Sequence, residues 1–189
     1  MKKQTTKTSP KPKSLRKYVV SEPIDVPVER KIAGQYVHRT EARDSVRKQH
    51  PDFTEKKGCY VFGIRTQTGV VPVYVGCTGK RTLGFEAFTS HKRAALAEAL
   101  AYYPDAELVV AFVIPDGKGK EKDIKEMESI LIQSAHEKNP SILNIMNLSA
   151  PQNKKDGSGH NWYIDGVTNG GRGRRSENAQ AFRELVGIK

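Results

Sequence analysis

Glu128 is the position whose surroundings ask most plainly for chemistry. On a helical wheel of about 100° per residue, Ile124, Leu131, Ile132 and Ala135 all fall within about 60° of it, so its carboxylate points into the apolar face of its own helix. A buried carboxylate without compensation costs several kcal/mol, and the site is expected to supply either a basic residue or a metal ion. A structural salt bridge at the rim of the helix face is the plain alternative. Tyr60 and Tyr74 stand mid-strand in short β runs, where core packing is the ordinary use of tyrosine. His91-Lys92-Arg93 forms a basic triplet in a helix-forming run, and Lys80 and Arg81 sit in the polar loop before it. Solvated surface charge is the plain reading of each. Cys59 and Cys77 are too far apart in sequence for a zinc knuckle and lack histidines at ligand spacing, so neither structural metal nor a disulfide scaffold is expected. His136 and His160 have no partner at ligand spacing and read as surface residues.

The elements that must position these side chains follow from periodicity. Tyr60, Phe62 and Ile64 alternate with Cys59, Val61 and Gly63, and Val71, Val73 and Val75 alternate with Pro72, Tyr74 and Gly76. Thr66-Gln67-Thr68-Gly69 between the two strands predicts an antiparallel hairpin. Whether Tyr60 and Tyr74 share a face depends on a register that period two does not supply. Phe85 to Tyr102, rich in alanine, predicts one helix. Leu108 to Ile114 is a continuous apolar run, as in a strand covered on both faces, and Asp123 to Glu137 predicts a second helix ending before Asn139-Pro140. The order strand, strand, helix, strand, helix predicts an α/β domain: a small three-stranded mixed sheet with helices packed on it.

Gly58-Cys59-Tyr60, followed a hairpin's length later by Tyr74-Val75-Gly76, resembles the two-part signature of the GIY-YIG nucleases. That family includes homing endonucleases, some restriction enzymes and excision-repair nucleases. The order of elements after the hairpin is similar as well, with His91 in the first helix, Glu128 in the second and Asn144 beyond it. The resemblance spans Lys56 to Asn147, about half of the chain. It implies hydrolysis of DNA phosphodiester bonds with one Mg²⁺ or Mn²⁺, RNA being left open. Glu128 would hold the metal, and Tyr60 would orient or deprotonate the attacking water. A free phenol has a pKa near 10, so this role needs a nearby cation or base, for which His91, Lys92 and Tyr74 are the candidates. An arginine would bind the phosphate oxygens, and Asn144 would brace the site. One departure concerns that arginine: Gly84 and Ala87 stand where the family's residue would fall, leaving Arg81 and Arg93 as candidates. A catalytically inactive nucleic-acid-binding module on the same fold is therefore the alternative.

The flanks fit a polyanionic partner. The chain carries a formal net charge of +11, and such a surplus displaces counterions from nucleic acid. Residues 1–17 hold basic residues, no acid and interspersed Ser, Thr and Pro, which predicts a disordered arm that either solubilises the chain or tracks phosphates. Residues 18–55 form an N-terminal extension with a short helix at Glu41 to Gln49 and no assigned chemistry. Residues 148–189 form a basic extension ending in a short amphipathic helix near Ala179 to Val186. There Arg172, Arg174 and Arg175 lie among glycines, and Trp162 and Tyr163 either stack on bases or anchor a linker. Lys80 and Lys92 complete the expected nucleic-acid contacts. No run approaches the roughly 18 apolar residues of a spanning helix, and no apolar signal-peptide core follows the basic start, so a soluble intracellular protein without membrane contact is expected. A small domain that nicks one strand leaves a homodimer open as the route to double-strand cutting.

Overall fold

Two strands that the sequence pattern does not announce begin the fold: β1 (Arg16–Val20) and β2 (Ile24–Val26). The computed structural model describes residues 16–31, 34–143, 162–164 and 177–188. A separate two-stranded sheet, β3 (Glu29–Lys31) with β4 (Gly34–Tyr36), comes next, followed by α1 (Arg39–Gln49) and the short α2 (Pro51–Thr54). The expected hairpin is β5 (Cys59–Thr66) and β6 (Gly69–Cys77), paired antiparallel, with Gly69 at φ 129° in the turn, a conformation that glycine adopts without strain. Then come α3 (Leu83–Glu86), α4 (Ser90–Tyr102), β7 (Glu107–Pro115), α5 (Glu121–Lys138), β8 (Trp162–Ile164) and α6 (Glu177–Val186).

The architecture is mixed α/β, but the sheet is larger than the three strands expected. Its order is β6-β5-β7-β1-β8, with β2 also paired to β7; among the described pairings only β1 with β8 is parallel. The reason lies in β7. One of its edges pairs with β5, and the other would expose a row of backbone N–H and C=O groups had β1 and β2 not covered it. The opposite edge strand, β6, carries Pro72, as edge strands can, and is shielded where Asn139 Nδ2 donates to the Pro72 carbonyl (2.7 Å) and Leu143 N–H to that of Val73 (3.0 Å).

Helices cover both faces. Cys59, Val61, Val75, Ala111 and Val113 pack on Ile124, Met127, Leu131 and Ile132 of α5 and on Phe182 and Leu185 of α6. Tyr60, Phe62, Ile64, Val110 and Phe112 pack on Leu83, Phe88, Leu96 and Leu100 of α3 and α4 and their connection, and on Val46 of α1. β7 is buried from Leu108 to Ile114, as its unbroken apolar run requires.

Two local readings are corrected. The expected Phe85–Tyr102 helix is split, because Thr89 takes an extended backbone (φ −69°, ψ 158°) and turns its hydroxyl back to the Glu86 carbonyl (3.3 Å). The valines of β6 also do not share one face. The register shifts between Phe62 and Gly63, leaving Val73 as the unmatched residue of a bulge, so Val73 joins the Tyr60 side while Val75 joins the α5 side. Trp162 and Tyr163, for which the sequence leaves base stacking and anchoring of a linker both open, lie in β8 beside β1. Among the described residues no helix is long and apolar enough to cross a membrane.

Candidate active site

The hairpin register answers the question that periodicity left open. Tyr60 pairs with Gly76 and Phe62 with Tyr74, so the two tyrosines lie on one face of adjacent strands. Their rings stack with centroids 6.4 Å apart and planes 3° from parallel, and Phe62 meets Tyr60 edge-on at 5.7 Å. Tyr60 is fully buried and Tyr74 half-buried. Both glycines of the paired triplets are dictated by close approach. A Cβ at Gly76 would overlap the Tyr60 phenol oxygen, and one at Gly58 would overlap the Val113 carbonyl oxygen. The Tyr60 hydroxyl is buried and makes no hydrogen bond among the described residues.

Lys92 is the basic residue that reaches the tyrosines. Its ammonium stands 5.1 Å from the centroid of the Tyr60 ring and is only 5% exposed. It donates to the Glu86 carboxylate (2.6 Å) and to the Glu86 carbonyl (2.8 Å). The break between α3 and α4 makes this possible, since a continuous helix does not bring residues six apart together. Lys92, expected as a nucleic-acid contact or as the cation beside Tyr60, is buried here and held by Glu86 next to the Tyr60 ring.

Glu128 approaches from the other face. It lies on α5, half-buried, and its Oε2 accepts a hydrogen bond from the Cys77 thiol at the end of β6 (3.1 Å). Among the described residues it forms no ion pair, so the basic partner that its burial predicts is replaced by a thiol. Its charge nevertheless acts on the tyrosines across the edge strand. Burial raises the Tyr74 phenol above its ordinary value, and the charges of Glu128 and Glu86 raise it further. Tyr60 is pushed well up, first by burial, then by Tyr74, Glu86 and Glu128. A cation, Lys92, does lie beside the Tyr60 ring as expected, but burial first and the neighbouring acidic groups after it leave the phenol raised rather than lowered. In this state Tyr60 is a neutral hydroxyl. Cys77 is pushed up to about 12, first by burial and then by Glu128, with Lys125 and Lys92 opposing.

The other candidates lie apart. Arg93 is half-buried and donates from Nη1 to the Val37 carbonyl (3.3 Å), and its Nε is buried without a partner among the described residues. Arg81 and Lys80 are exposed in the loop before α3, and His91 is exposed in the first turn of α4. Glu121 at the start of α5 is held below its ordinary value by the hydrogen-bonded Lys125 first, with Lys57 and Lys80 adding to it. His136 is half-buried rather than at the surface, with Nδ1 buried and unpartnered among the described residues. Asn144, His160, Arg172, Arg174 and Arg175 lie outside the described residues.

Among the described residues no group of three or more His, Cys, Asp or Glu side chains could hold a metal ion. A lone carboxylate still suits Mg²⁺, which keeps several waters and takes the rest of its shell from one or two carboxylates and substrate phosphate. Sequence reasoning missed Cys77 and Glu86. The period-two pattern places Cys77 with Val75 but names no function for it, and Glu86 reaches Lys92 only through a helix break. Comparison with family models, curated proteins and solved structures finds no match for this chain.

Proposed function

We propose that the chain is a divalent-metal-dependent endonuclease that hydrolyses phosphodiester bonds of DNA. The observation that carries this reading is the stacking of Tyr60 and Tyr74 on adjacent strands with the Tyr60 hydroxyl buried and left unpartnered among the described residues, beside an edge strand whose last residue, Cys77, hydrogen-bonds Glu128 of α5. Unpartnered buried polar groups cost stability and concentrate where they serve a function. Glu128 is the residue that would hold Mg²⁺ or Mn²⁺, and such an ion supplies charge withdrawal from a phosphate and a more acidic bound water. Tyr60, protonated, donates a hydrogen bond that orients water or a phosphate oxygen. Tyr74, half-exposed, lines the approach. Lys92 and Glu86 fix the Tyr60 ring rather than touch substrate. Exposed Lys80 and Arg81 are free to meet backbone phosphates, and Arg172, Arg174 and Arg175 extend the same role in the basic C-terminal segment.

A catalytically silent nucleic-acid-binding module is the second reading. It is favoured by Arg93, whose guanidinium is turned to the Val37 carbonyl instead of towards the tyrosines.

Conversion of supercoiled plasmid to nicked or linear form with Mg²⁺ or Mn²⁺ separates the two. Cleavage by the wild type that disappears in Glu128→Ala and Tyr60→Phe is the expected result, with Arg81→Ala and Arg93→Ala identifying the phosphate ligand. Intact plasmid across metals, with wild type and Glu128→Ala binding DNA equally, would overturn the endonuclease and leave the binding module.

A further inference from the structure

Cys59 and Cys77, unrelated by sequence spacing, are register partners across the β5–β6 hairpin. Their neighbours define the pair's geometry. The Thr78 N–H donates to the Gly58 carbonyl (2.9 Å), which makes 58/78 a hydrogen-bonded pair and the adjacent 59/77 a non-hydrogen-bonded one. In such pairs the Cα atoms stand about 4.5 Å apart with both side chains on the same face, inside the Cα range that a disulfide spans and at its short end. Both thiols also address the same helix. Cys59 donates to the Ile124 carbonyl (3.3 Å) and Cys77 to Glu128 Oε2 (3.1 Å), acceptors one turn apart on α5. Cys59 is buried and Cys77 half-buried, so solvent reaches the pair through Cys77.

We propose that Cys59 and Cys77 are a reversible modification site: a peroxide joins them in a cross-strand disulfide that takes the thiol donor away from Glu128. The Cys77 sulfur attacks one peroxide oxygen as its thiolate; an S–O bond forms, the O–O bond breaks, and the departing hydroxide takes up the proton the thiol gave up and leaves as water. The Cys59 sulfur then attacks the Cys77 sulfur; the S–S bond forms, the S–O bond breaks, and a second water leaves. The two thiols lose two electrons and hydrogen peroxide gains them. A dithiol reverses it by thiol–disulfide exchange, entering at the half-exposed Cys77. The consequence for Glu128 rests on its reading as the cation ligand. With the thiol present, Oε2 shares its lone pair with a proton; in the disulfide that oxygen is available to a cation.

The test oxidises the reduced full-length chain with hydrogen peroxide, maps thiols by alkylation and peptide mass, and measures Mn²⁺ binding by calorimetry, with Cys59→Ser and Cys77→Ala beside the wild type. The oxidised wild type is expected to lose both free thiols and two hydrogen atoms, to show linked peptides containing residues 59 and 77, and to recover with dithiothreitol. Mn²⁺ affinity is expected to rise about fivefold in the disulfide form and in Cys77→Ala, the equivalent of one hydrogen bond removed from the carboxylate. Free thiols that persist under peroxide sufficient to oxidise the urea-unfolded chain would overturn the modification site. Equal Mn²⁺ affinity in all forms would overturn the link to Glu128. Linked peptides with no Mn²⁺ binding by any form would overturn that link and the metal site of the proposed function together, leaving the disulfide itself established.

Discussion

The phenol oxygen of Tyr60 occupies the space that a side chain at Gly76 would enter. One residue of the hairpin therefore sets the identity of the other across the strand pair, and the same contact leaves the hydroxyl buried without a hydrogen-bond partner among the described residues.

Gly76→Ala is expected to displace the Tyr60 ring at a cost of about 1–3 kcal/mol, the usual range for overpacking, with the fold retained. Gly58→Ala meets the backbone carbonyl of Val113, which cannot turn aside as a ring can, and is expected to cost more. Urea denaturation of the two variants gives the order. A larger loss in Gly76→Ala would contradict it.

Tyr60→Phe is expected to stabilise the protein by about 1 kcal/mol while abolishing cleavage. Removing an unsatisfied buried hydroxyl relieves its desolvation penalty without opening a cavity of note. Thermal and urea midpoints that fall instead would mean that the hydroxyl has a partner in the folded chain.

The Glu86–Lys92 pair predicts an asymmetry. Their side chains are 22% and 6% exposed, so Glu86→Ala strands a nearly buried ammonium, whereas Lys92→Met leaves a carboxylate that can turn to water. Loss of about 3 kcal/mol is expected for Glu86→Ala and less for Lys92→Met. Denaturation of both variants, compared at one pH, is the check.

Cys77 carries a pH signature. Its folded pKa of about 12 lies above the ordinary 9.0, so below pH 9 the thiol is protonated in both folded and unfolded chains. Between those values the unfolded chain releases the proton and the folded chain does not, and stability is expected to fall as pH rises through that window. Alkylation of Cys77 in metal-free protein should quicken roughly tenfold per pH unit up to the same point, because the thiolate is the reactive form. Glu128→Gln removes one of the charges that hold the proton on and should move the alkylation curve to lower pH. A curve that stays in place would show burial alone to be responsible.

Much of the local structure was legible in the chain. Alternation at Tyr60, Phe62 and Ile64, the unbroken apolar run of Leu108 to Ile114 and the wheel around Glu128 each report on a face that must be buried, and the strands and helix they imply are present. Such patterns are local, set by the period of a strand or a helix against a single apolar boundary. Pairing is not local. That Tyr60 faces Gly76, that Cys59 faces Cys77, and that a bulge sends Val73 and Val75 to opposite sides follow from which backbone groups of two strands hydrogen-bond, and a one-residue slip would reverse every one of them. The same holds for β1 and β2, whose short segments acquire their place only because β7 has an edge to cover. Residue types and spacing thus determined which side chains were candidates, while the tertiary structure decided which of them meet: Lys92 rather than Arg93 beside Tyr60, and a thiol rather than a cation beside Glu128.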